Sequence, residues 1–64
     1  MLFRSTLTYT NNLAVLYLSQ RQYAKAEPFC VKTLELSRRI LGEEHAGTHA
    51  SMNNLASLYK EQGQ

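Results

Sequence analysis

Placed 100° apart on a helix, Tyr9, Leu13, Leu16 and Tyr17 fall on one face of the segment from Thr6 to Gln20, with Ala14 on its flank. The other face carries Thr8, Asn11, Asn12, Val15 and Ser19, and no charged residue lies between Leu7 and Gln20. A helix that faces water ordinarily carries Lys and Glu, so a neutral polar face points to a groove lining. Arg21-Gln22 predicts a turn. From Tyr23 to Leu41 the period is cleaner: Ala26, Phe29, Cys30, Thr33, Leu34, Leu36, Ser37, Ile40 and Leu41 fill an arc of roughly 160°. Lys25, Glu27, Lys32, Glu35, Arg38 and Arg39 take the opposite side, with only Val31 out of place. An arc that wide suits a helix packed against two neighbours.

Local signals bound these elements. Gly42 after Leu41 predicts a left-handed cap, and Arg38 and Arg39 in the last turn complement the helix dipole. Glu35 and Arg39 are placed for an i,i+4 ion pair, and Pro28 is expected to be tolerated near the first turn. Glu43 to Gly47 reads as a loop, and Thr48 as the N-cap of a third helix. The pattern therefore predicts an all-α chain with helices A, B and A′ at about 6–20, 23–41 and 48–62. Its expected core is Leu13, Leu16, Tyr17, Ala26, Phe29, Cys30, Leu34, Leu55 and Leu58.

The third helix repeats the first. Asn11-Asn12-Leu13-Ala14-Val15-Leu16-Tyr17 returns 42 positions later as Asn53-Asn54-Leu55-Ala56-Ser57-Leu58-Tyr59, six of the seven being identical. Thr6 matches Thr48, Gln20 matches Gln62 and Gln22 matches Gln64. A fixed period of this length in a helix-forming sequence predicts an antiparallel helix-turn-helix solenoid, an architecture that presents extended binding surfaces. The chain reads as one domain over 1–64, with one full repeat at about 6–47 and the first helix of the next at 48–64. A core this small is marginal, and fewer than about three repeats rarely suffice. That points to a piece of a longer array or to a chain that associates with copies of itself.

Composition narrows the function classes. Seven Lys and Arg against five Glu give a net charge of +2, too small and scattered for a nucleic-acid stripe; A′ carries Lys60 beside Glu61. No apolar run approaches the roughly 18 residues that span a bilayer, and Met1-Leu2-Phe3-Arg4 lacks the layout of a secretory signal. The single cysteine, Cys30, forms no internal disulfide and fits a reducing, cytoplasmic setting. His45 and His49 with Cys30 or Glu44 fall short of a zinc site, which needs four ligands in reliable register. Cys30 with a histidine falls short of a nucleophile–base pair, because it sits mid-arc where cysteine is an inert small hydrophobe. The expectation is a non-enzyme without cofactor or metal.

The residues that carry these signals also carry a resemblance. NNLA-x-LY at Asn11–Tyr17, a short turn, Tyr23-Ala24-Lys25-Ala26-Glu27-Pro28, and then Leu41-Gly42-Glu43-Glu44-His45 together resemble a tetratricopeptide repeat of the long, kinesin-light-chain-like type. The departures are Ala46 and Gly47, where the family commonly has Pro and a polar cap, and Cys30 and Thr33, where it has an aromatic and Ala. The resemblance implies a stack of helix pairs whose A helices line a concave groove for a partner's peptide segment. It implies that Asn12 and Asn54 hydrogen-bond that segment, against the alternative of a local bond between neighbouring A helices. Asn11 and Asn53 are expected at the groove rim, with Thr8, Val15, Ser19 and Ser57 beside them. A structural role is the rival: Leu7, Leu18, Met52 and Tyr59 at the incompletely covered ends are candidates for self-association, by stacking or by exchange of A′ about the loop Glu43 to Gly47.

Overall fold

The computed structural model describes residues 4–63 and contains three helices: α1 (Arg4–Ser19), α2 (Tyr23–Ile40) and α3 (Ala46–Glu61). The expected pairing of Gln22 with Gln64, and the outermost bounds of the 1–64 domain, lie outside the described residues. Each boundary falls within two residues of its expected place, and the chain forms no strand among the described residues.

The turn after α1 is built on a left-handed residue. Arg21 has φ 59, the Gln22 N–H donates to the Tyr17 carbonyl at 2.9 Å, and the Arg21 N–H donates to Leu18 at 3.0 Å. This is a Schellman closure, which satisfies the last carbonyls of the helix but ordinarily uses glycine. Arg21's counterpart one repeat later is Gly63, with φ 78 and its N–H on the Lys60 carbonyl. Arg21 therefore bears a Cβ clash that Gly63 does not. Arg21→Gly should raise stability by about 0.5–1 kcal/mol, the relief of that clash less glycine's extra chain entropy. A rise in urea midpoint at unchanged m-value would register it.

The second turn is also held by identifiable bonds. Leu41 and Gly42 both donate their N–H groups to the Ser37 carbonyl, and Gly42 has φ 95, the expected left-handed cap. The N-cap of α3 is His45 rather than Thr48: its imidazole Nδ1 accepts the Gly47 N–H at 2.9 Å. Thr48 lies inside the helix, fully buried, and donates its hydroxyl to the Gly42 carbonyl at 2.6 Å. Gly47 has a steric reason, since a Cβ there would stand 2.8 Å from the tip of Leu41 and 3.2 Å from the capping imidazole nitrogen. The loop is thus tied down where its composition suggested looseness. Replacing His45 by Ala should cost about 0.5–2 kcal/mol, while His45→Asp should hold the cap; paired thermal melts followed by circular dichroism separate the two.

Packing order gives the topology. Followed backwards along α1, Tyr17 stacks on Phe29 with ring centroids 5.6 Å apart, and Asn11 and Thr8 then share a hollow with Thr33 and Ser37 further along α2. The two helices are antiparallel, as the short link between them requires. Ser37 of α2 meets Ser51 of α3, so α3 runs back along α2 in the direction of α1. The middle helix α2 packs on both neighbours, while α1 and α3 touch each other only slightly. The wide apolar arc of α2 is realised as a two-sided helix.

The core is small: Ala14, Ala26, Cys30 and Leu58 form its buried centre, with Tyr17, Leu18, Tyr23, Phe29, Leu55 and Tyr59 packed around them. Several expectations are corrected here. Leu16 is 47% exposed and Leu13 and Leu34 are only half-buried, whereas Leu36 is buried. The buried side of α1 is Thr10, Ala14 and Tyr17, turned by roughly 100°, one residue, from the face with most hydrocarbon. The reason is that one B helix covers only one of the two apolar sides of an A helix. Pro28 stands sixth in α2, past the first turn, so its missing N–H removes an intrahelical bond; both it and Ala24 are exposed, on the side of the helix where that loss costs least. Glu35 pairs with Lys32 at 3.4 Å instead of with Arg39, an exposed contact of little energetic weight.

Candidate functional site

Because α1 and α3 lie on the same side of α2 and barely touch, a trough runs between them with α2 as its floor. At the end near the second turn it opens into a hollow of about 310 Å³. Leu7, Thr8 and Asn11 form the α1 wall; Gly47, Ala50, Ser51 and Asn54 form the α3 wall; Thr33, Ser37 and Leu41 form the floor. None of these side chains is charged. Towards the other end Leu18, Arg21, Tyr23, Ser57 and Glu61 line a second hollow of about 320 Å³, where the first cation and carboxylate enter.

The base of the hollow, where the floor meets the α3 wall, is rich in hydroxyls. Ser37 and Ser51, both buried, place their Oγ atoms 3.1 Å apart, and the Ser51 hydroxyl also reaches the Gly47 carbonyl. Thr33 is 2% exposed and its Oγ1 has no hydrogen-bond partner. Buried polar atoms are seldom left so.

The sequence-derived candidates divide. Thr8, Asn11 and Asn54 are brought together in the hollow, and Ser57 lines its continuation. Asn12, Val15, Ser19 and Asn53 are exposed and line neither hollow. The division follows from geometry: each A helix shows one side to the A helix before it and another to the one after. Asn54 lies on the first kind of side and faces α1; its counterpart Asn12 lies on the same side of α1, where no helix is packed. The local bond between neighbouring A helices is not formed, since the side-chain hydrogen bonds of the described residues leave all four Asn amides out. Of the proposed association residues, Leu18 and Tyr59 pack against the core and Leu7 and Met52 are half-buried. Among the described residues, the large apolar side chains that stand most exposed are Tyr9, Val15, Leu16 and Val31. The floor hydroxyls Thr33 and Ser37 and the wall hydroxyl Ser51 were missed as site residues; their signal was three hydroxyls at positions that helical phase assigns to the interior.

Other chemistry is limited. Burial first, and the Glu27 carboxylate second, push the Cys30 thiol above its ordinary range. The folded chain holds that proton more tightly, so its stabilising effect is present at neutral pH and is lost only as pH rises through the alkaline range. A protonated, buried thiol is a poor nucleophile. Among the described residues no three His, Cys or Glu side chains come together as a metal site, and no helix is long and apolar enough to cross a membrane.

The fold and trough agree with the comparison to known families: the tetratricopeptide repeat model matches residues 5–64, nearly the whole chain. The chain belongs to the tetratricopeptide repeat family, whose repeats are generally protein–protein interaction modules. Neither the curated proteins nor the solved structures give a match to it.

Proposed function

We propose that this chain is a peptide-binding module, of the kinesin-light-chain-like type and resident in the cytoplasm, that holds an extended segment of a partner protein in the trough between α1 and α3. The observation that carries the reading is the placement of Asn11 and Asn54 on opposite walls of one hollow, with their amides unused by the fold. Each amide supplies a donor and an acceptor, the pair that an extended backbone needs at every second residue. The neutral walls favour such backbone contacts over recognition of a charged side chain, and the motifs at Asn11–Tyr17, Tyr23–Pro28 and Leu41–His45 support the subtype. The test is selection of linear peptides from a displayed random library on the immobilised chain. Asn54→Ala and Asn11→Ala should each weaken the selected peptides roughly tenfold, the loss of one or two buried hydrogen bonds, and Asn53→Ala should not. Peptides indifferent to both trough substitutions would refute the reading.

A further inference from the structure

The hollow at the second-turn end of the trough has hydrogen-bonding capacity at its base that the fold leaves unspent. Thr33 is 2% exposed, and its Oγ1 has no partner. A helical threonine divides between two χ1 rotamers, so this hydroxyl turns towards an occupant of the hollow at little cost. Ser37 stands one turn further along α2, on the same face. A serine hydroxyl has a single proton. Ser51 gives its proton to the Gly47 carbonyl at 3.1 Å, so the proton in the 3.1 Å contact between the two serines comes from Ser37. Ser37 is thereby left with a lone pair and no proton to offer, while Thr33 still has its proton. The base thus presents an acceptor and a donor one helical turn apart.

That inventory restricts what the hollow can take. No charged residue lines it, so an ionised side chain would give up its hydration without a counter-charge. A purely apolar one would seal the Thr33 and Ser37 hydroxyls beneath it unserved. A hydroxyl would have a single oxygen to set between two groups a turn apart. A carboxamide carries its N–H donor and its C=O acceptor on separate atoms, and so meets both. Leu7, Leu41 and Ala50 complete the lining with hydrocarbon, which suits a side chain with methylenes before its polar end. At about 310 Å³ the space holds one such side chain and the main chain at its root.

We propose that the base of the hollow selects a glutamine in the segment that the trough holds. The carboxamide N–H donates to Ser37 Oγ, the carboxamide oxygen accepts from Thr33 Oγ1, and the methylenes lie against Leu7 and Leu41. Such selection rests on the trough's being a peptide site. Asn11 and Asn54 on the walls then grip main chain, whereas Thr33 and Ser37 on the floor read a side chain.

The probes are pools of displayed short peptides, each with one amino acid fixed at the central position and Ala or Gly elsewhere, captured on the immobilised full-length chain. The glutamine pool should be captured roughly tenfold better than the glutamate, methionine and tyrosine pools, as for a pair of buried hydrogen bonds. Thr33→Val keeps the shape of the side chain and removes a hydroxyl that bonds to nothing, so this variant should melt no lower than the parent. Its capture of the glutamine pool should fall to within roughly twofold of the methionine pool. Thr33→Ser keeps the hydroxyl and should keep the preference, while Asn54→Ala should weaken every pool alike. Capture that depends on Asn54 but is indifferent to the fixed residue would leave the trough a peptide site and overturn the selection of glutamine. So would a preference for a hydroxyl-bearing or ionised side chain, or a glutamine preference that Thr33→Val retains. Capture of no pool, or capture untouched by both Asn11→Ala and Asn54→Ala, would remove the peptide reading of the trough itself, and the glutamine selection with it.

Discussion

Leu58→Ala should cost about 2–5 kcal/mol, the range for emptying a fully buried leucine site. Leu58 is fully buried and joins α3 to the Ala14, Ala26 and Cys30 centre. A domain of this size has only a few kcal/mol of stability to lose, so the variant should be largely unfolded at 25 °C by far-ultraviolet circular dichroism. Leu16→Ala, at the equivalent position of α1, should melt within about 0.5 kcal/mol of the parent, because its side chain is already half in water. If the two variants melt alike, the asymmetry between the copies of the repeat is not what the structure describes.

The second large effect comes from adding volume. Ala14 is 1% exposed and shares the buried centre between α1 and α2 with Ala26 and Cys30. Ala14→Leu forces three methylene-sized groups into that seam and should destabilise by about 1–3 kcal/mol. Ala56→Leu makes the same change at the same repeat position, on an exposed site, and should fall within about 0.5 kcal/mol of zero. Urea denaturation of the two variants side by side measures the difference. Equal losses would mean that Ala56 is covered in solution, by a second copy or by rearrangement.

Helix number, turns and the Gly42 cap were readable because they depend on local chemistry and an intact 3.6-residue period. The two-sided packing of α2 was readable from the width of its apolar arc. The buried face of α1 was not, because helical phase reports where hydrocarbon lies and not which of two apolar sides has a neighbour. Their hydrocarbon character places Leu13 and Leu16 in the core, while Thr10 and Ala14 hold that place. The same blindness affected the trough: Asn11 and Asn12 look alike in sequence, and only the position of α3 decides that Asn11 faces Asn54. His45 as N-cap was hidden because Ser, Thr, Asp and Asn dominate that role. Arg21 in a left-handed conformation was within reach, since its counterpart Gly63 marks the spot.

The hydroxyl contact between Ser37 and Ser51 has a bearing on how faithfully the trough keeps its shape. Two hydrocarbon surfaces can slide along one another at little cost, whereas two hydroxyls 3.1 Å apart in a dry seam meet at a single axial setting. Moving α3 along α2 by one turn, about 5.4 Å, would cost the Ser37 hydroxyl its partner, at about 1–3 kcal/mol, while Ser51 would keep only its bond to the Gly47 carbonyl. The pair therefore acts as an indexing pin. It fixes the level at which Asn54 stands opposite Asn11, and so converts a soft helix–helix contact into a calibrated spacing between the walls.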